Sequence, residues 1–171
     1  MKKIKVLAVV MMIAAMVMGC GSKEIPMKEF AAVDGSCTIQ LNEKWVEEET
    51  GMDNWIAAFN ELGTEGAMVM QFTKGVMDAN VSGIADIKAI VEESYVMTDM
   101  AAIDVESSLL SNVEAYTCSM NVDGIDGEGC VAYGETDYAY YIVLALESGN
   151  RSDAAVEAFK KSVASLTESV Q

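Results

Sequence analysis

Residues 138–146 read Tyr-Ala-Tyr-Tyr-Ile-Val-Leu-Ala-Leu, with no charge, glycine or proline. A strand with one face in water alternates apolar and polar side chains, whereas this run is apolar on both alternations. It therefore predicts a central strand covered on both sides, which requires layers packed above and below a sheet. Other segments supply those layers. Ser82 is a candidate N-cap, and Ile84, Ile87, Val91 and Tyr95 follow at spacings of 3, 4 and 4, so a helix is expected over 83–96. Ser152 or Asp153 caps a second helix carrying Val156, Phe159, Val163 and Leu166. Half-buried strands are expected at 36–41, where Cys37, Ile39 and Leu41 alternate with Thr38 and Gln40, and at 67–73, with Met68, Met70 and Phe72 on one face. Further strands are expected at 101–110, 113–122 and 128–134, with Asp123-Gly124 or Asp126-Gly127 turning the hairpin between the last two. Residues 52–59 read equally as strand or helical turn. The order strands, helix, strands, helix predicts an α+β domain: an antiparallel β-sheet with helices packed on its faces.

The N-terminus is a separate matter. Lys2, Lys3 and Lys5 precede thirteen uninterrupted apolar residues, 6–18, too few to cross a bilayer and the usual length of a secretory apolar region. The run ends in Val17-Met18-Gly19-Cys20, which resembles the bacterial lipobox. That resemblance implies cleavage between Gly19 and Cys20. It also implies a diacylglyceryl group on the Cys20 thiol, with acyl chains of the palmitate kind. The expected division is a signal peptide over 1–19, a lipidated cysteine with a short tether over 20–33, and one domain over 34–171. The tether, read as a flexible coil, would span on the order of 20 Å. The expected location is the extracytoplasmic face of a membrane, either the cell surface or the periplasm. Residues 1–19 hold three lysines and no acid, so their removal takes the net charge from −16 to −19. Such a surface is repelled by anionic lipid and by nucleic acid, and the lipid must hold the protein to its membrane.

Histidine is absent, which excludes Ser-His-Asp and Cys-His catalysis and every histidine-ligated metal site within this chain. Besides Cys20 there are Cys37, Cys118 and Cys130. Tyr116, Cys118, Met120 and Val122 share one alternation of their strand, whereas Val131 and Tyr133 leave Cys130 on the other. If the apolar sets share a face, the two thiols lie on opposite sides of the sheet and do not bridge. Asp123, Asp126 and Glu128, interleaved with Gly124, Gly127 and Gly129, are the candidate cation-binding residues, although Ile125 breaks the order of an EF-hand loop. A polar hairpin turn explains the same residues more simply. Glu47–Glu49 and Glu92-Glu93 read as solvated faces. Met68 and Met70 could imitate a soft copper site but read better as core. Tyr133, Tyr138, Tyr140 and Tyr141 could line a ligand groove. No metal or cofactor is called for by any motif.

The element order, with certain residues, resembles the PsbP-like fold, shared by an extrinsic photosystem subunit, the Mog-type Ran-binding proteins and many small bacterial lipoproteins. In Cys-Thr-Ile-Gln-Leu-Asn-Glu-Lys-Trp, 37–45, Leu41 and Trp45 match the opening strand of such domains, with Asn42 where a proline is usual. Asn112-Val113-Glu114-Ala115 lacks the glycine of the small turn, while residues 140–143 and 159–166 fit the closing strand and helix. The resemblance implies an α/β/α sandwich and a binding or scaffold role. It transfers no binding residue. The function expected is thus that of a non-catalytic, lipid-anchored envelope protein contacting a protein partner. The alternative is a lipoprotein binding a small ligand or a divalent cation such as Ca²⁺ or Mn²⁺, and catalysis by paired carboxylates ranks last. Oligomeric state is not legible in the sequence.

Overall fold

The computed structural model describes residues 24–76, 82–122 and 124–169. Its strands are β1 (Met27–Ala31), β2 (Cys37–Asn42), β3 (Val46–Glu47), β4 (Ile56–Phe59), β5 (Gly66–Thr73), β6 (Thr98–Ala102), β7 (Ser111–Val122), β8 (Ile125–Glu135), β9 (Ala139–Glu147) and β10 (Thr167–Glu168). Its helices are α1 (Ile84–Ser94), between β5 and β6, and α2 (Asp153–Ser165), between β9 and β10. The strands form an antiparallel seven-stranded sheet ordered β3-β4-β5-β9-β8-β7-β6 and a smaller sheet ordered β1-β2-β10. The protein is an α+β domain with one helix on each face of the large sheet.

Strand β9 stands fourth of seven, at the centre, as its doubly apolar run requires. Its Ala139, Tyr141 and Val143 join a core beneath α2 with Ile39, Leu41, Phe159 and Val163. Its Ile142 and Leu144 join a second core beneath α1 with Met70, Ile87, Val91 and Met120. The hairpin β7–β8 puts Cys118 in the α1-side core and Cys130 in the α2-side core, and both thiols are free and buried. The turn falls between the paired residues Val122 and Ile125, so Asp126 and Gly127 lie within β8. Ser152 caps α2, its hydroxyl accepting the Ala155 N–H at 3.1 Å.

Several expectations need correction. The tether does not extend to residue 33, because Met27–Ala31 pairs with β2 as a strand and Phe30 is buried in the α2-side core. A strand of five with one deeply buried residue carries little periodicity, so it reads as coil. The strand expected over 101–110 ends at Ala102. Beyond it the Ile103 N–H still donates to the Ala115 carbonyl of β7 at 2.9 Å, Val105 and Leu109 pack on the α2-side core outside any strand, and the Ser107 hydroxyl accepts the Leu110 N–H, turning the chain. Alternation there reflects packing of a loop. Residues 52–59 resolve into β4 at Ile56–Phe59. Helix α1 starts at Ile84, after Gly83; the Ser82 hydroxyl donates to Asp86 instead of capping.

Candidate functional site

The best-formed site among the described residues is a cavity of about 120 Å³ between α2 and the large sheet. Small side chains open it: Ala67 and Ala145 on the sheet, Ala155 and Ala158 on the helix. Larger ones wall it, namely Leu41 at the end of β2, Trp45 just before β3, and Phe159 of α2. Met27 of β1 closes one side, held there by the Met27–Asn42 pairing. The volume suffices for several heavy atoms.

One end of the cavity is polar. Glu65 precedes β5, Glu147 ends β9, and Arg151, the chain's single arginine, leads into α2. Strand register forces this gathering: Gly66 pairs with Leu146 and Glu128 with Glu147. Arg151 is committed to the backbone. Its Nη1 donates to the Gly129 carbonyl at 3.1 Å, and its own N–H donates to Glu128 Oε2 at 2.8 Å. Glu147 accepts the Ser152 N–H at 3.3 Å. Burial pushes the Glu147 carboxyl above its ordinary value, and the neighbouring Glu65 and Glu128 push the same way against Ser152 and Arg151. Among the described residues, no lysine or arginine lies within ion-pair distance of Glu65 or Glu147. An apolar slot whose end sets two carboxylates against one guanidinium, itself hydrogen-bonded to the backbone, favours a compact apolar group carrying a positive charge.

The residues singled out from the sequence fare differently. Gly19, Cys20 and Asp123 lie outside the described residues. Asp126 accepts the Asn121 side-chain amide at 2.7 Å, while Glu128 accepts the Arg151 backbone N–H at 2.8 Å. Among the described residues no three Cys, Asp or Glu side chains are grouped to share a metal ion. The four tyrosines form no common groove. Tyr141 is buried in the α2-side core and Tyr133 in the α1-side core, Tyr140 lies under the Lys74 ammonium at 4.6 Å, and Tyr138 is exposed. Met68 and Met70 belong to the α1-side core. Burial pushes the thiols up, to about 11 for Cys37 and Cys118 and about 12 for Cys130, so none is a ready nucleophile. Sequence reasoning missed Glu65, Glu147 and Arg151. The one available signal was a lone arginine placed just after the central strand.

No protein-family model matches this chain. No curated protein matches it either. Among solved structures, the solution structure of cyanobacterial PsbP (CyanoP) from Synechocystis sp. PCC 6803 superposes with a TM-score of 0.50 at 11% identity, covering 91% of this chain and 98% of that one. At that identity the likeness is one of fold, and the PsbP-like fold implied by residues 37–45, 140–143 and 159–166 is the fold found.

Proposed function

We propose that this chain is a lipid-anchored protein of the cell envelope that binds rather than catalyses, and that the cavity beneath α2 is where it engages a protein partner. The observation that carries the binding site is the apolar slot between Trp45 and Phe159 ending in Glu65, Glu147 and the backbone-bonded Arg151. A side chain with an apolar stem and a cationic tip, as on lysine, matches both its walls and its end. The anchor rests on the Val17-Met18-Gly19-Cys20 sequence and the basic, apolar run before it. The small volume of the cavity, about 120 Å³, supports a second reading, a free small amine as ligand.

A photo-crosslinking residue placed at Glu65 in living cells tests both. A single discrete protein adduct, lost in a Cys20→Ala version, supports the anchored interaction. No adduct, together with a melting-temperature rise when the purified domain meets small primary amines, supports the ligand reading. Neither response removes the cavity as a binding site.

A further inference from the structure

The described chain starts at Glu24, and Glu24 is already ion-paired to Lys161 on α2. Ile25 lines the cavity beneath α2, and the Pro26 carbonyl accepts the Glu43 N–H at 2.9 Å. The chain is thus fixed to the layer made of the small sheet and α2 from its first described residue. Only Gly21, Ser22 and Lys23 separate Glu24 from Cys20. Fully extended, those four steps reach roughly 14 Å. This is less than the thickness of the domain, which stacks the small-sheet and α2 layer, the large sheet and α1.

Charge points the same way. At the described positions, Lys28 of β1, Lys44 of the β2–β3 turn, and Lys160 and Lys161 of α2 stand with Glu24, Glu29, Asp34, Glu43, Asp153, Glu157 and Glu168. Elsewhere Lys74, Lys88 and Arg151 face all the remaining acids, among them Glu47, Glu48, Glu49, Glu92 and Glu93. The side where the chain leaves the domain holds four of the seven described cations and is less acidic than the other surfaces. An anionic bilayer repels that side least.

From this arrangement we infer that the small sheet and α2 form a membrane-apposed face, docked on phospholipid headgroups, with α1 turned away from the bilayer. The inference rests on the lipid anchor at Cys20. It goes beyond anchoring because a long tether would leave the domain free to tumble.

The test uses the full chain, processed and lipidated in cells, then inserted from outside into vesicles of phosphatidylethanolamine and phosphatidylglycerol. Glu29→Cys places a thiol on exposed β1, and Ile90→Cys places one on exposed α1; the native thiols Cys37, Cys118 and Cys130 are buried. The rate of labelling by polyethylene glycol maleimide is compared in vesicles and in detergent, and flotation reports membrane association separately. The expected result is flotation of both variants, with the Glu29→Cys thiol labelled several-fold more slowly in vesicles than in detergent and the Ile90→Cys thiol unchanged. Flotation with equal labelling at both positions would overturn the docked face and leave the anchor standing. Failure to float, with Cys20 unmodified by mass spectrometry, would overturn the anchor and the docked face together.

Discussion

Cys118 and Cys130 lie on adjacent strands, in two different cores. Pleating alone separates them, and burial raises both thiols to about 11 and 12. In the Cys20→Ala protein, the folded state is therefore expected to react negligibly with Ellman's reagent at pH 8, and the denatured state to yield all three thiols. A disulfide detected by mass spectrometry between residues 118 and 130 would contradict the strand faces described. Glu147 offers a second check. Its folded carboxyl is raised, so the unfolded chain loses that proton at lower pH than the folded one. The group's adverse contribution grows as pH rises through the carboxylate range. Glu147→Gln should raise the melting temperature at pH 7, with the gain vanishing as pH falls below that range. Under the proposed function, the same change should weaken binding of a cationic group in the cavity. A variant less stable at pH 7 would show that the Ser152 N–H and Arg151 outweigh burial.

At the scale of elements, the short strand β10 depends on a polar network. The Gln71 side-chain amide donates to the Tyr141 hydroxyl at 2.5 Å, and that hydroxyl donates to Glu168 on β10 at 2.8 Å. Thr136 donates to the same carboxylate at 3.1 Å. Tyr141 is fully buried, so Tyr141→Phe leaves the Gln71 amide without an acceptor in the core. The expected loss is about 1–3 kcal/mol in urea unfolding, with faster amide exchange at Thr167 and Glu168. Unchanged exchange there would mean that pairing with Thr38 and Cys37 suffices to hold β10. Long, strongly patterned elements such as β7, β9 and α2 were legible from periodicity. Strand β1 was not, nor the loop over 103–110, because both take their place from the surfaces they meet.

For the whole molecule, net charge separates two ways of reaching a membrane. A surface held by basic residues is released by salt, whereas acyl chains are not. With net charge −19 after cleavage at Cys20, molar salt is expected to leave the protein in the membrane fraction, and Cys20→Ala to move it to the soluble fraction. Release of the unchanged protein by salt would place its attachment in a partner. The corrected tether changes what such an anchor does. Thirteen residues of coil would let the domain sample its surroundings, but with Met27–Ala31 in a sheet an anchor at Cys20 would set orientation as well as proximity.

The sequence by itself determined the α+β class, the central strand, both helices and the exclusion of histidine chemistry, and it set the condition, a shared apolar face, under which Cys118 and Cys130 separate. Each follows from residue identity or from local periodicity, which the pleat of a strand or the turn of a helix converts directly into facing. Only the tertiary structure decided that Glu65, Glu147 and Arg151 meet at the end of a cavity walled by Trp45 and Phe159. Those residues span more than a hundred positions, and their meeting depends on the pairing of β5 with β9 and on where α2 crosses the sheet. Strand register and helix docking are set by how complementary surfaces fit, and no local window of the chain contains both surfaces.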